Sequence, residues 1–123
     1  MVENEKISVI MSCYNCSKTL EKAIDSILAQ TYTNWVMICC DDGSKDNTLN
    51  ILKEYQRRYP DKFVIIKNER NNKLPYSLNH CLKYVKTELI ARMDADDWSM
   101  PERFEKQVTF LREHPEYDLV GTG

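Results

Sequence analysis

Glycine is scarce in this sequence: of 123 residues only three are glycine, at 43, 121 and 123. They form neither a Gly-x-Gly-x-x-Gly nor a Walker-type loop, so the backbone does not cradle a pyrophosphate in the usual glycine-loop manner. A basic run is also lacking. With 17 Lys+Arg against 19 Asp+Glu the formal net charge is −2, which argues against non-specific nucleic-acid binding. No apolar stretch approaches the roughly 20 residues of a membrane span. The start, Met1-Val2-Glu3-Asn4-Glu5-Lys6, lacks the apolar core of a signal peptide. A cytoplasmic location is expected, with the full protein at most at the inner face of the membrane. Cysteine is present, at 13, 16, 39, 40 and 81, but in an incomplete pattern. Cys13-Tyr14-Asn15-Cys16 has the spacing of a redox or zinc pair, yet no second pair of similar spacing exists to complete a structural zinc site. Cys39 and Cys40 end an apolar run, where a small hydrophobe is sufficient explanation.

What is present describes one ordinary soluble domain: 42% hydrophobic and 29% charged residues, in a chain long enough for a single core. Ile7-Ser8-Val9-Ile10-Met11 is β-prone and is followed by turn formers. Leu20, Ala23, Ile24, Ile27 and Leu28 then recur at helical spacing, predicting a helix over 18–30 with Ser17 as its N-cap. The run Trp35 to Cys40 is apolar on both faces and predicts a central strand. A second helix, capped by Asp46 or Asn47, runs through Leu49, Leu52, Tyr55 and Tyr59 to Pro60. The third strand is 63–67. Pro75 opens a third helix with Leu78, Cys81, Leu82 and Val85 as its inner stripe. A fourth strand begins at Leu89. Ser99-Met100-Pro101-Glu102 reads as a capping box before a helix with Phe104, Val108 and Leu111 on one face. Asp118-Leu119-Val120 reads as the start of a fifth strand. This alternation predicts an α/β fold, a mostly parallel sheet with helices on both faces.

In such sheets ligands bind beyond the carboxyl ends of the strands, near the point where strand order reverses. Three polar motifs fall there: Ser12-Cys13-Tyr14-Asn15, Asp41-Asp42-Gly43-Ser44 and Asp94-Ala95-Asp96-Asp97. If the strand continues through the last of these, Asp94 and Asp96 project from one side. Two carboxylates that close repel, and a cation between them relieves the repulsion. Carboxylate oxygens with room for water suit hard ions such as Mg²⁺ or Mn²⁺. Such an ion, on Asp96, would neutralise a diphosphate that no glycine loop holds. Asp41 or Asp42 is placed to accept hydrogen bonds from a base or ribose, although Asp42-Gly43-Ser44 also reads as a plain turn. Tyr14 reads equally as a packing residue, and Arg92 as an ion-pair partner of one carboxylate.

Four motifs together, Ile7 to Asn15, Asp41 to Asp46, Ala91 to Asp97 and Pro101 to Gln107, resemble the inverting family-2 glycosyltransferases of GT-A fold in order and spacing. The resemblance implies a nucleotide-sugar donor, commonly a UDP-sugar, bound with Mn²⁺ or Mg²⁺, and a role in polysaccharide or glycoconjugate synthesis. It implies that Ser12, Tyr14 and Asn15 line the nucleotide and that Asp41, with or without Asp42, contacts the base. Asp94 would approach the ribose or sugar, and Asp96 would ligate the metal. Two residues depart from the family pattern: Ser12 stands where proline is common, and Lys73 where the loop after the third strand often has glycine.

The resemblance also implies a general base and acceptor-side residues further along than Gly123, since inversion needs the acceptor hydroxyl to lose its proton. Residues 1–123 are then expected to be the nucleotide-sugar-binding half of a GT-A enzyme, binding donor but not turning it over alone. The acceptor is expected to be a saccharide or a lipid-linked saccharide. Exposed strand groups near Val120, with Trp98 and Phe110, are expected to favour self-association. Two other readings compete: a nucleotide-binding fragment without turnover, and a sugar-phosphate nucleotidyltransferase. The second usually needs a basic glycine-rich loop after the first strand, which Ser12 to Asn15 does not supply.

Overall fold

The computed structural model describes residues 5–113. Eight elements alternate: β1 (Ile7–Cys13), α1 (Leu20–Leu28), β2 (Trp35–Asp41), α2 (Thr48–Arg58), β3 (Phe63–Lys67), α3 (Leu74–Leu82), β4 (Leu89–Arg92) and α4 (Arg103–Glu113). The strands form one sheet in the order β3-β2-β1-β4, and every pairing is parallel. The α/β architecture expected from the alternation is therefore observed, with β2 inside the sheet as its two apolar faces require. The order reverses at β1, whose neighbours are β2 on one side and β4 on the other. In parallel sheets ligands bind beyond the carboxyl ends of the strands near such a reversal.

Strand alternation divides the core in two. Ile7, Val9, Met11 and Cys13 of β1 face the layer that holds Leu20, Ala23, Ile24 and Ile27 of α1, Leu52 and Tyr55 of α2, and Phe104, Val108 and Leu111 of α4. Ile10, Ile38 and Cys40 point the other way, onto Cys81 of α3 with Leu78, Val85 and Ile90 around it. One helix on the second face follows from right-handed crossovers, because the connection from β3 to β4 runs back across the sheet. Each fully buried Leu or Ile stabilises by about 1.5–3 kcal/mol, and the first layer has far more of them.

Several expected details differ. Helix α1 begins at Leu20 with Thr19 as N-cap, and Ser17 does not cap it. The Ser17 amide is instead drawn to Asp46 Oδ2 at 3.1 Å, so the turn ahead of the helix is held by the neighbouring loop. Asn47 occupies the N-cap of α2 but makes no side-chain cap bond. Asp46 supplies the acceptor, its Oδ1 lying 3.0 Å from the Thr48 amide. Leu82, expected on the inner stripe of α3, is exposed, and Ser77 takes an inner position beside Cys81. The Ser99 capping box does not form. Helix α4 starts at Arg103, and its Phe104 amide donates to Gln30 Oε1 of the segment after α1 at 3.0 Å. Ser99 Oγ accepts from Arg103 Nη1 instead. The fifth strand expected at Asp118 to Val120 lies outside the described residues, and so does the edge pairing expected there. Trp98 and Phe110 are both exposed, as expected.

No helix among the described residues is long and apolar enough to cross a membrane. The two-layer core makes a contrast that denaturation can read. Leu52→Ala, in the fully buried layer, should cost about 2–5 kcal/mol, whereas Leu82→Ala should stay within about 0.5 kcal/mol. Urea unfolding of the two variants measures both; equal losses would mean that Leu82 is packed after all.

Candidate functional site

A cleft of about 890 Å³ opens at the carboxyl ends of β1, β2 and β4, a volume suited to a small-molecule or cofactor ligand. All three polar motifs meet in it. Ser12 comes from the end of β1, Tyr14 and Asn15 from the loop after it, Asp42 from the loop after β2, and Asp94 and Asp96 from the turn after β4. Asp41 does not line it. Its side chain is 3% exposed and its Oδ1 accepts from the Ser44 amide at 3.3 Å, behind the cleft wall.

The loops after β1 and β2 are stitched together by their own polar groups. Asn15 sits at φ 48°, a left-handed conformation that asparagine tolerates better than most residues. In that pose its amide donates to Ser44 Oγ at 2.9 Å while its Oδ1 accepts from the Lys45 amide at 2.8 Å. The Cys16 amide donates to Thr48 Oγ1 at 3.0 Å. Cys16 also borders the cleft, and its thiol rests against that of buried Cys13. That contact holds the Cys16 thiol below its ordinary value and pushes Cys13 well above it, with burial adding to the rise. All five cysteines are free thiols.

Asp42 is the buried member of the site, at 2% exposure. Its Oδ1 accepts from Asn68 Nδ2 at 2.8 Å and from the Asn72 amide at 2.9 Å, and its Oδ2 accepts from the Lys73 amide at 3.0 Å. A buried carboxylate is tolerable when N–H donors satisfy it in this way. Asn68 Nδ2 also donates to Ser77 Oγ at 2.9 Å, which leaves Asn68 Oδ1 as an acceptor. His80 Nδ1 lies 2.8 Å from that oxygen, so the proton of the neutral ring belongs on Nδ1. Gly43, next along, is more than a plain turn residue. At φ +76° a Cβ there would fall 2.6 Å from the Arg70 carbonyl carbon and 2.7 Å from the Asn71 nitrogen. The segment 70–73 thus lies directly on the β2 loop, anchored by Asp42 and admitted by Gly43.

That anchoring imposes an unusual backbone on Lys73, at φ 76° and ψ 165°. The region is essentially reserved for glycine and costs other residues about 1–3 kcal/mol. Lys73 and Asn71 line the cleft. Sequence reading named Lys73 only as a departure from pattern; its place in the cleft depends on the long-range bond to Asp42.

The acidic motif does not continue β4, which ends at Arg92. Asp94 to Asp97 form a turn closed by the Asp97 amide on the Asp94 carbonyl at 3.1 Å. The turn, not strand alternation, gathers the carboxylates, and it brings in a third. Asp94, Asp96 and Asp97 place carboxylate oxygens within 4.8 Å of one another. The sequence reading gave Asp97 no ligand role of its own. The turn is fixed on three sides. Arg92 pairs with Asp94 at 3.3 Å, Thr19 Oγ1 donates to the Ala95 carbonyl at 3.0 Å, and Arg103 Nη2 donates to the Arg92 carbonyl at 3.0 Å. Oxygen-only ligands, half-buried to exposed, leave room for coordinated water and fit Mg²⁺ or Mn²⁺ better than a softer ion.

A parallel sheet with helices on both faces and an acidic turn beside its point of strand reversal is a Rossmann-like α/β architecture. The family model for glycosyl transferase family 2 matches residues 8–123, and the chain belongs to that family. It is 51% identical over 123 residues to EpsE of Bacillus subtilis (strain 168), covering 100% of this chain and 44% of that protein. It is 33% identical over 105 residues to the UDP-Glc:alpha-D-GlcNAc-diphosphoundecaprenol beta-1,3-glucosyltransferase WfgD of Escherichia coli, covering 85% of this chain and 40% of WfgD. S. aureus TarS solved in complex with UDP superposes with a TM-score of 0.82 at 28% identity, covering 89% of this chain and 33% of that one. The chain thus spans less than half the length of these proteins.

Asp46 links the site to acid stability. Hydrogen bonds from Thr48, joined by the Ser17 amide, hold its carboxyl well below the usual carboxylate range. A depressed folded value contributes stability above the unfolded pKa, and that stability is lost as pH falls. Wild type should therefore lose stability more steeply than Asp46→Asn below about pH 4. Thermal melts of both proteins across that window measure the difference, and parallel curves would show that Asp46 does not clamp the loops.

Proposed function

We propose that residues 1–123 form the nucleotide-sugar-binding part of a glycosyltransferase that uses a UDP-sugar and a divalent metal, Mn²⁺ or Mg²⁺. The observation that carries this reading is the convergence of three strand-end motifs on one cleft, with Asp94 and Asp96 in its lining and the Asp97 carboxylate clustered with theirs. Family membership supports sugar transfer, and the UDP-containing names of WfgD and of the TarS complex support uridine as the nucleoside.

In this reading Ser12, Tyr14 and Asn15 line the nucleotide. Asp42 borders the base side, while Asp41 supports it from behind through Ser44. Asp94 approaches the ribose or the sugar, already oriented by Arg92. Asp96 would hold the metal, with Asp97 and Asp94 as further oxygen donors. A cation held there would supply positive charge to a departing diphosphate. The chain's own contribution is placement: the Arg92, Thr19 and Arg103 contacts fix the acidic turn before any ligand arrives. Transfer is proposed to invert the sugar carbon, with the acceptor hydroxyl losing its proton to a base not assigned among the described residues. The proposed acceptor is a saccharide or lipid-linked saccharide in cell-envelope polysaccharide synthesis, by analogy with the lipid-linked acceptor in the name of WfgD.

Calorimetry with UDP tests the metal and the nucleotide together. Mn²⁺ should tighten UDP binding by about tenfold or more, equivalent to ~1.4 kcal/mol. Asp96→Asn, which keeps size but removes charge, should melt like wild type and lose that enhancement. Equal UDP affinity with and without Mn²⁺ in the wild type would contradict the proposal, as would no binding at millimolar UDP.

A further inference from the structure

Lys73 holds a backbone conformation that glycine would adopt without strain, in a segment whose position Asp42 dictates. A bulky residue kept at such a position is a reason to ask what its side chain does. Among the residues lining the cleft, Lys18 and Lys73 are the cations, facing the carboxylates of Asp42, Asp46, Asp94 and Asp96. Asp42 is saturated by N–H donors and Asp46 by Thr48 and Ser17. Lys73 itself is exposed and has no ion pair among the described residues. A divalent ion on the acidic turn would be largely neutralised by its own ligands, which leaves negative charge on a bound diphosphate. The chain has no glycine loop to meet that charge.

We propose that Lys73 is a donor-binding residue, its ammonium pairing with the diphosphate of the nucleotide from the loop after β3. The inference rests on the nucleotide reading of the cleft and adds a specific residue to it. Lys18 lies in the turn before α1 at an ordinary backbone angle, so it is the matched control: a cleft cation held without strain.

Two substitutions separate charge from backbone. Lys73→Gly removes both the charge and the strain; Lys73→Met removes the charge and keeps a side chain at the strained angle. Binding is measured by calorimetry with uridine, UMP and UDP at fixed Mg²⁺, alongside thermal melts. Both variants should weaken UDP about tenfold, weaken UMP less, and leave uridine unchanged within about twofold. Lys73→Gly should also melt a few degrees above wild type, because relief of strain exceeds the entropy glycine adds to the unfolded chain. Lys73→Met should melt near wild type. Stability rising while UDP affinity falls is the signature of a residue kept for its side chain. Unchanged UDP affinity in both variants overturns the inference, and so does a loss confined to Lys18→Met or an equal loss for uridine and UDP. Failure of the wild type to bind either uridine or UDP overturns the nucleotide reading, and this inference with it. Normal wild-type binding with silent Lys73 variants removes this inference alone.

Discussion

Asp42 sits at 2% exposure with N–H groups of Asn68, Asn72 and Lys73 converging on its two oxygens. A lone carboxylate at that depth would be expelled or neutralised; three donors make it the fixed point of the cleft. Around it the β3 loop is pulled over the β2 loop, close enough that position 43 tolerates only glycine. The same attachment forces Lys73 into a conformation it would not choose. Beyond it, Asn68 extends the network to Ser77 and His80, tying the second face of the sheet to the wall of the cleft.

The opposite wall depends on a different device. The acidic turn has little secondary structure of its own, and its shape comes from what surrounds it. Met93 donates to Ile10 of β1, Thr19 reaches Ala95 from the start of α1, and Arg103 reaches Arg92 from α4. Each of those partners is itself set by the buried layer of α1 and α4 against β1. The packing of that layer therefore determines how three carboxylates are presented, which is the link from core to candidate chemistry. Both walls meet at the carboxyl ends of the strands beside β1, where the strand order reverses.

Most of the fold was legible in the sequence because its strands are apolar runs and its helices carry clear stripes. Trp35 to Cys40, apolar on both faces, is inside the sheet, and Phe104, Val108 and Leu111 are buried on α4. Helix starts were less legible. Ser17 and Ser99 have the right residue type for caps, but the amide of each is engaged by a distant side chain, Asp46 for one and Ser26 for the other. Residue type cannot announce a bond made across about 30 or 70 positions of chain. The same reason hid Lys73. Asp97 was missed because strand alternation was extended past Arg92, where a turn takes over.

Family membership and the UDP complex of TarS support the proposal that the cleft is a donor site, and the geometry attaches that proposal to named loops. The central claim is that a nucleoside diphosphate with a metal binds between those walls and nowhere else. A second hollow of about 380 Å³, bordered by Trp98, Met100, Arg103 and Lys106, is the obvious rival. Amide chemical shifts followed by NMR while UDP and Mg²⁺ are added decide between them. The account predicts the largest changes at residues 12–15, 42–43, 71–73 and 94–97, with the rival hollow changing less. Largest changes around Trp98, Met100 and Lys106, with 12–15 and 71–73 silent, would contradict it.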